Sequence, residues 1–267
     1  MSVACLGTPS PLVPGFHGSV GLPHFGVQTG SLELPVSGPG FVRFRRLGTA
    51  NFAQPDFIRG LTALTSKLDA AYPGVRLVLG DLSERRGGKI PRHNSHRNGR
   101  DVDLLWFLQN TQGVPLESVG FVHVGADGLA VDSQTGKLYR LDVERQWALV
   151  KALLESKDIY VQWLFCSRPV EALLIDYARA RGEPNDLVWR AETVMLQPSD
   201  SLPHDDHMHL RISCTPDSSI AGCDGGGPYW PWLPPLPVLV LSDRDLQEIG
   251  QQDPLVDTNE AEVLTSG

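Results

Sequence analysis

Residues 207–212 read His-Met-His-Leu-Arg-Ile, and this order constrains the fold more than any other part of the chain. Side chains two apart on a strand share a face. His207, His209 and Arg211 therefore point one way, while Met208, Leu210 and Ile212 point into a core. Far upstream, Asp101-Val102-Asp103-Leu104 repeats the pattern, with two carboxylates on the polar face. It follows His93-Asn-Ser-His96, and the spacing from His96 to Asp103 fits no single helical face. It suits a loop that folds over and returns along a strand, with Gly99 permitting the tight path. These two stretches, with His204, hold five of the eight histidines of the chain.

Neither stretch holds a full metal set alone. Together they supply His96, Asp103 and His209, a three-ligand arrangement of the kind catalytic zinc prefers, with a fourth position left to water. A carboxylate with imidazoles also admits manganese, iron or cobalt. The plain alternative is a polar solvent face carrying ordinary histidines, which accounts poorly for two such faces in one chain.

The rest of the sequence reads as α+β, with a small antiparallel sheet, helices packed on one side and the metal site on the sheet's exposed face. Residues 1–40 are rich in Gly, Pro and Ser and read as an extended arm with short strands at most, near Leu32–Pro35 and Phe41–Phe44. A catalytic domain spans 41–225. A helix begins at Gln54-Pro55, buries Phe57, Leu61, Leu64 and Leu68, and stops at Pro73-Gly74. Val75–Leu79, Val102–Leu108, Tyr160–Cys166 and His207–Cys214 read as strands. Residues 109–139 are a turn-rich excursion with a hairpin near Gly125–Gly128. Asp142 caps a second helix to about Ser156, Pro169 opens a third to about Arg181, and a fourth covers about Asp186–Met195. Residues 226–267 form a Pro-rich, then acidic tail, whose last 25 residues are expected to be poorly ordered.

At 267 residues the chain supports one substantial core. Its net charge of −8 argues against a general nucleic-acid partner. Against that background Arg85, Arg86, Lys89, Arg92, Arg97 and Arg100 form a local basic patch, suited to an anionic ligand or equally to a solvated loop. No apolar run approaches the roughly 20 residues of a membrane span, and no secretion signal is visible. Val3-Ala4-Cys5 is only faintly like a lipoprotein cleavage site. Cys214 and Cys223 bracket a loop of turn formers and are candidates for a local disulfide, which tilts toward an oxidising compartment. Cys5 and Cys166 carry no pairing signal.

The pattern H-x-S-H-x-x-G-x-D-x-D from His93 to Asp103, followed by H-x-x-H-x-H from His204 to His209, resembles the penicillin-insensitive murein endopeptidases. These belong to the wider group of lysostaphin-like, D-Ala-D-Ala-dipeptidase and Sonic-hedgehog-type zinc folds. The resemblance extends to Gly80-Asp81-Leu-Ser, Gly87-Gly88 and His-Met-His-Leu-Arg-Ile-Ser-Cys, covering roughly residues 15–225. It implies one zinc held by His96, Asp103 and His209, with His207 as catalytic partner. His204 and His93 would be accessory residues at the metal or substrate, His204 with a catalytic part. Asp101 is left as a supporting or structural residue. It also implies a periplasmic or secreted protein acting on peptidoglycan at the D-alanyl–diaminopimelyl cross-bridge, through a zinc-activated water. No serine nucleophile enters such chemistry, so β-lactams that acylate serine should not inhibit it.

Other readings remain open at this level. A D,D- or L,D-carboxypeptidase would trim stem peptides on the same scaffold. A metal-dependent nuclease is opposed by the net charge and the His-x-His strand. A wall-binding module would keep zinc for structure, which normally takes four protein ligands. If Arg85, Arg86 and Arg100 bind substrate carboxylates, their replacement by Ala should raise KM more than it lowers turnover in steady-state assays. The reverse split would count against that role.

Overall fold

The computed structural model describes residues 17–199, 201–236, 242–244 and 247. Cys5, residues 1–16 of the N-terminal arm and most of the acidic tail lie outside them, including the expectation of a poorly ordered tail. The chain divides into two units, Met1–Leu233 and Pro234–Gly267, and the fold described is that of the first.

Helix α1 (Pro55–Ala71) starts after Gln54 with Pro55 in its first turn and buries Phe57, Leu61, Leu64 and Leu68. Helix α2 (Val143–Leu154) is capped by Asp142, whose side chain accepts from the Arg145 backbone N–H at 3.1 Å. This satisfies one of the donors that a helix start leaves without a partner. Helices α3 (Arg168–Ala180) and α4 (Asn185–Val194) follow within a residue or two of their expected bounds. A short α5 (Pro216–Ile220) lies inside the loop closed by the disulfide between Cys214 and Cys223. Cys166 is a buried free thiol.

The principal sheet has seven strands in the order Met195–Leu196, Val161–Phe165, Met208–Ile212, Asp101–Leu104, Leu77–Leu79, Phe41–Arg43, Ser37–Gly38. Its middle is antiparallel, but Phe41–Arg43 pairs parallel to Leu77–Leu79, and Val161–Phe165 parallel to Met195–Leu196. The sheet is thus larger and more mixed than the small antiparallel one expected. The physical reason lies in the connections. α1 carries the chain from Phe41–Arg43 back to Leu77–Leu79, and α3 with α4 does the same for the other pair, and a helical crossover is what a parallel pair requires.

The buried stripes of α1 to α4 share one apolar cluster with Val102, Leu104, Met208, Leu210 and Ile212. The helices therefore cover the face to which the alternating pattern assigned these residues. Residues 108–141 build a second, five-stranded antiparallel sheet, including a hairpin in which the Gly128 N–H donates to the Gly125 carbonyl at 3.0 Å. Its strands are two to four residues long, too short for a period of two to register in sequence.

At the N-terminal end, Gly18–Leu22 and Phe25–Thr29 pair as a hairpin. It is stitched to the loop that carries the first histidines. The Gln28 N–H donates to the Arg86 carbonyl at 3.1 Å, the Arg97 N–H to the Pro23 carbonyl at 3.1 Å, and Asn98 Nδ2 to the Gly21 carbonyl at 3.0 Å. No helix among the described residues is long and apolar enough to cross a membrane.

Because Leu61 is only 1% exposed within the shared apolar cluster, Leu61→Ala should cost about 2–5 kcal/mol of stability, read by urea denaturation. A cost below about 1 kcal/mol would show that α1 is not part of the cooperative core.

Candidate metal centre

Asp101–Leu104 and Met208–Ile212 lie side by side antiparallel, with Asp103 opposite His209 and Asp101 opposite Arg211. The period of two places all four side chains on the sheet face away from the helices. That face is not open, contrary to expectation. Asp101, Asp103 and His96 are fully buried and His209 is 4% exposed, because the loop 83–100 and the N-terminal hairpin fold over it.

The first cluster reaches the sheet through a constrained turn. His96 has φ 62°, a left-handed conformation uncommon for any residue but glycine. The surroundings enforce it. The His96 backbone N–H donates to Asp101 Oδ2 at 3.2 Å, and the Gly99 N–H donates to Ser83 Oγ at 3.0 Å. Gly99 itself has φ 80°, and a Cβ there would meet Gln28 Oε1 at 1.9 Å. Such strain tends to persist where function fixes a side chain.

The result is a convergence on one carboxylate. Asp103 Oδ1 has His96 Nε2 at 3.2 Å, His207 Nε2 at 3.3 Å and His209 Nδ1 at 3.7 Å. The outer nitrogen of each ring is held. His96 Nδ1–H donates to the Leu82 carbonyl at 3.0 Å, His209 Nε2–H to Asp101 Oδ1 at 2.8 Å, and His207 Nδ1–H to Asp206 Oδ1 at 2.6 Å. These bonds fix the tautomers and turn the free lone pairs inward, as metal-ligating histidines require.

His96 Nε2 and both oxygens of Asp103 are buried without a hydrogen-bond partner. Buried polar atoms are normally paired. Orphans of this type, two donors of lone pairs facing each other, fit a divalent cation. Two sets of three lone-pair donors surround the spot, His93 with His96 and Asp103, and His204 with His207 and His209.

The other predicted residues divide sharply. His93 is close, but its Nε2–H donates to Asp81 Oδ2 at 3.0 Å, so the nitrogen nearest the centre is already engaged. His204 lies tilted to His207 and edge-on to His209, with ring centroids 5.2 and 5.7 Å away. Arg85 and Arg86 are exposed on the covering loop. Arg100 is a correction. It is 1% exposed, and its guanidinium donates to the Asp224 carbonyl at 2.9 Å and toward that of Gly225 at 3.3 Å. It clamps the segment after the disulfide and offers no fork to a substrate carboxylate.

Electrostatics reinforce the arrangement. Burial would raise the Asp103 carboxyl, but His96 and His207 outweigh it and hold it well below the ordinary range. Burial likewise opposes ionisation of Asp101, and Arg211 and His209 overcome it. At His207 burial favours the neutral ring, yet Asp103 and Asp206 push it up to about 10. At His204 burial and the neighbouring His207 push it down to about 4. Two histidines 5.2 Å apart are thereby pushed in opposite directions.

Several participants escaped the sequence reading. Asp206 holds His207, Asp81 holds His93 and pairs with Arg45, and Phe121 packs edge-on against His207 at 5.3 Å. Asp206 was visible in principle as the acid beside a motif histidine. The Leu82 carbonyl left no signal, since any residue could supply it.

Residues 19–228 match the family model described as penicillin-insensitive murein endopeptidase. Curated proteins named penicillin-insensitive murein endopeptidase from Escherichia coli O139:H28 (strain E24377A / ETEC) and from Shigella boydii serotype 18 (strain CDC 3083-94 / BS512) are similar. Each is 26% identical over 211 residues, covering 77% of this chain and 70% of the relative.

Asp101 accepts from His209, Arg211 and the His96 backbone at once. Asp101→Ala should therefore weaken divalent-cation affinity about 10–100-fold, measured by competition with a chelating dye. Unchanged affinity would mean that Asp101 does not orient the centre.

Proposed function

The chain belongs to the penicillin-insensitive murein endopeptidase family, and from that premise we propose that it is a zinc peptidase of the periplasm. It would cut the D-alanyl–meso-diaminopimelyl cross-links of peptidoglycan. The family supports peptidoglycan hydrolysis, and the observation that supports the metal is the inward convergence of His96 Nε2 and His209 Nδ1 on an Asp103 carboxylate without hydrogen-bond partners. These three residues would hold zinc, leaving a coordination position for water.

Zinc, when bound, supplies a nucleophilic water near neutral pH and offsets the charge that develops on the amide oxygen. The protein's own residues do the rest. His207 presents Nε2 to the centre, while Asp206 holds its Nδ1–H and keeps the ring aimed. A proton taken there from the attacking water can be returned to the leaving amine, so one ring serves both halves of the reaction. His204, whose buried Nδ1 has no hydrogen-bond partner, would orient the scissile peptide. The covering loop and hairpin limit water at the centre, which strengthens each of these contacts. Arg85 and Arg86, exposed on that loop, are available to the carboxylates of a stem peptide.

Digestion of purified cross-linked sacculi, read by muropeptide mass spectrometry, tests this reading. Cross-linked dimers should become monomers, a chelator should abolish the conversion and zinc should restore it. Loss of only a terminal alanine would make the protein a carboxypeptidase, and no change with zinc bound would make it a binding module. Asp103→Ala and His209→Ala should lose zinc and activity together. His207→Gln should keep zinc yet lower turnover about 10²–10⁴-fold; a His207→Gln protein with near-normal turnover would remove that residue from the chemistry.

A further inference from the structure

The rings around the candidate centre continue beyond it. Phe165 lies edge-on to His209, with centroids 5.3 Å apart, and stacks with Trp163 at 6.1 Å. Trp163 meets Trp230 edge-on at 5.2 Å, Trp230 stacks on Trp232 at 5.0 Å with planes 7° apart, and Trp232 meets Trp189 of α4 at 5.2 Å. Four of the six tryptophans of the chain thus form one continuous file. Backbone carbonyls anchor it. Trp163 Nε1 donates to the Gly226 carbonyl at 2.6 Å and Trp230 Nε1 to that of Gln162 at 2.8 Å, lacing the segment after the disulfide to the strand Val161–Phe165. Trp230 and Trp232 lie beyond residues 19–228 that the family model matches.

A core would enclose such rings. Here Trp189 is 52% exposed, and Trp163, Trp230 and Trp232 are only half-buried. Beside Trp189 opens a cleft of about 410 Å³, lined also by Val188, Arg179, Glu183, Asn185 and Glu192. Its lining combines an indole with carboxylates, an amide and a guanidinium. A protein partner's apolar anchor would want a drier wall, and a nucleic acid a basic one. A sugar ring wants this mixture, because its C–H face is apolar and stacks on an aromatic face while its rim of hydroxyls needs both donors and acceptors.

We propose that the tryptophan file ending at Trp189 is a docking track for the glycan strand of peptidoglycan, joined to the candidate metal centre through the buried ring of Phe165. The inference rests on the peptidoglycan reading and adds to it the part of the polymer that is not cut. A strand lying along the rings would hold its stem peptides near Asp103, raising their effective concentration there without any contact to the scissile bond.

The test uses the full chain and soluble glycan strands stripped of their stem peptides, titrated by tryptophan fluorescence and checked by co-sedimentation. The wild-type protein should bind them, and Trp189→Ala and Trp232→Ala should each weaken binding about three- to tenfold. Trp189→Tyr, which keeps an aromatic face, should recover most of the loss. Trp189→Ala, at an exposed site, should keep the wild-type melting temperature, so it decides the matter if Trp232→Ala proves unstable.

Wild-type affinity in Trp189→Ala, or no binding by the wild type, overturns the track. So does a wild-type dimer, seen by light scattering, that Trp189→Ala turns into monomer, since the face would then serve a second copy of the chain. The stripped strands contain no cross-link, which separates the two claims. A protein that cuts sacculi but ignores the strands defeats the track alone. One that binds them through Trp189 but cuts no cross-link defeats the peptidase reading and leaves the track standing.

Discussion

The pairing of Asp103 opposite His209 across two antiparallel strands is the contact on which the rest of the site depends. It sets the register, and a slip of Met208–Ile212 by one residue would carry His209 into the apolar cluster and Leu210 out of it. With that register, Asp101 falls opposite Arg211 and can reach the Nε2 of His209 as well. The helices enforce the arrangement from behind, since Val102, Leu104, Met208 and Leu210 are all fully buried against them.

The energetics of the two neighbouring carboxylates differ. Asp101 is buried but fully employed by an arginine, a histidine and a backbone N–H, which offsets its loss of hydration. Asp103 is equally buried with both oxygens lacking a hydrogen-bond partner. A buried carboxylate of that kind costs several kcal/mol unless a positive charge answers it. His96 and His207 answer it and hold the carboxyl well below its ordinary range, and the fold surrounds that point with three imidazole nitrogens whose far sides are all held. Orphaned oxygens and held rings together are what a cation site should look like before the cation's contribution is counted.

Much of this was legible in the sequence because it follows from short-range rules. Alternation over 101–104 and 207–212 gave the two strands and their faces, and the Asp142 cap with the spacing of Phe57, Leu61, Leu64 and Leu68 gave helices that the structure reproduces. What could not be read was anything decided by distant segments meeting. The parallel edges of the main sheet depend on where α1 and the α3–α4 pair return the chain. The burial of the site depends on the N-terminal hairpin, whose strands show no strong pattern. Arg100 was misread for the same reason. Its charge suggested a surface ligand, whereas the carbonyls of Asp224 and Gly225 claim it from far along the chain. The tryptophan file joins residues 163, 189, 230 and 232, which have no periodic relation that sequence could reveal.

The central claim is that the two histidine clusters form one cation centre with Asp103 at its middle. Crystals grown with zinc, with anomalous differences collected on both sides of the zinc edge, test it most directly. The account predicts a single strong peak in contact with Asp103, His96 Nε2 and His209 Nδ1, with His207 Nε2 facing it and not bonded to it. A peak held by His204 and His207 without Asp103, or no ordered zinc in the centre at all, would contradict it.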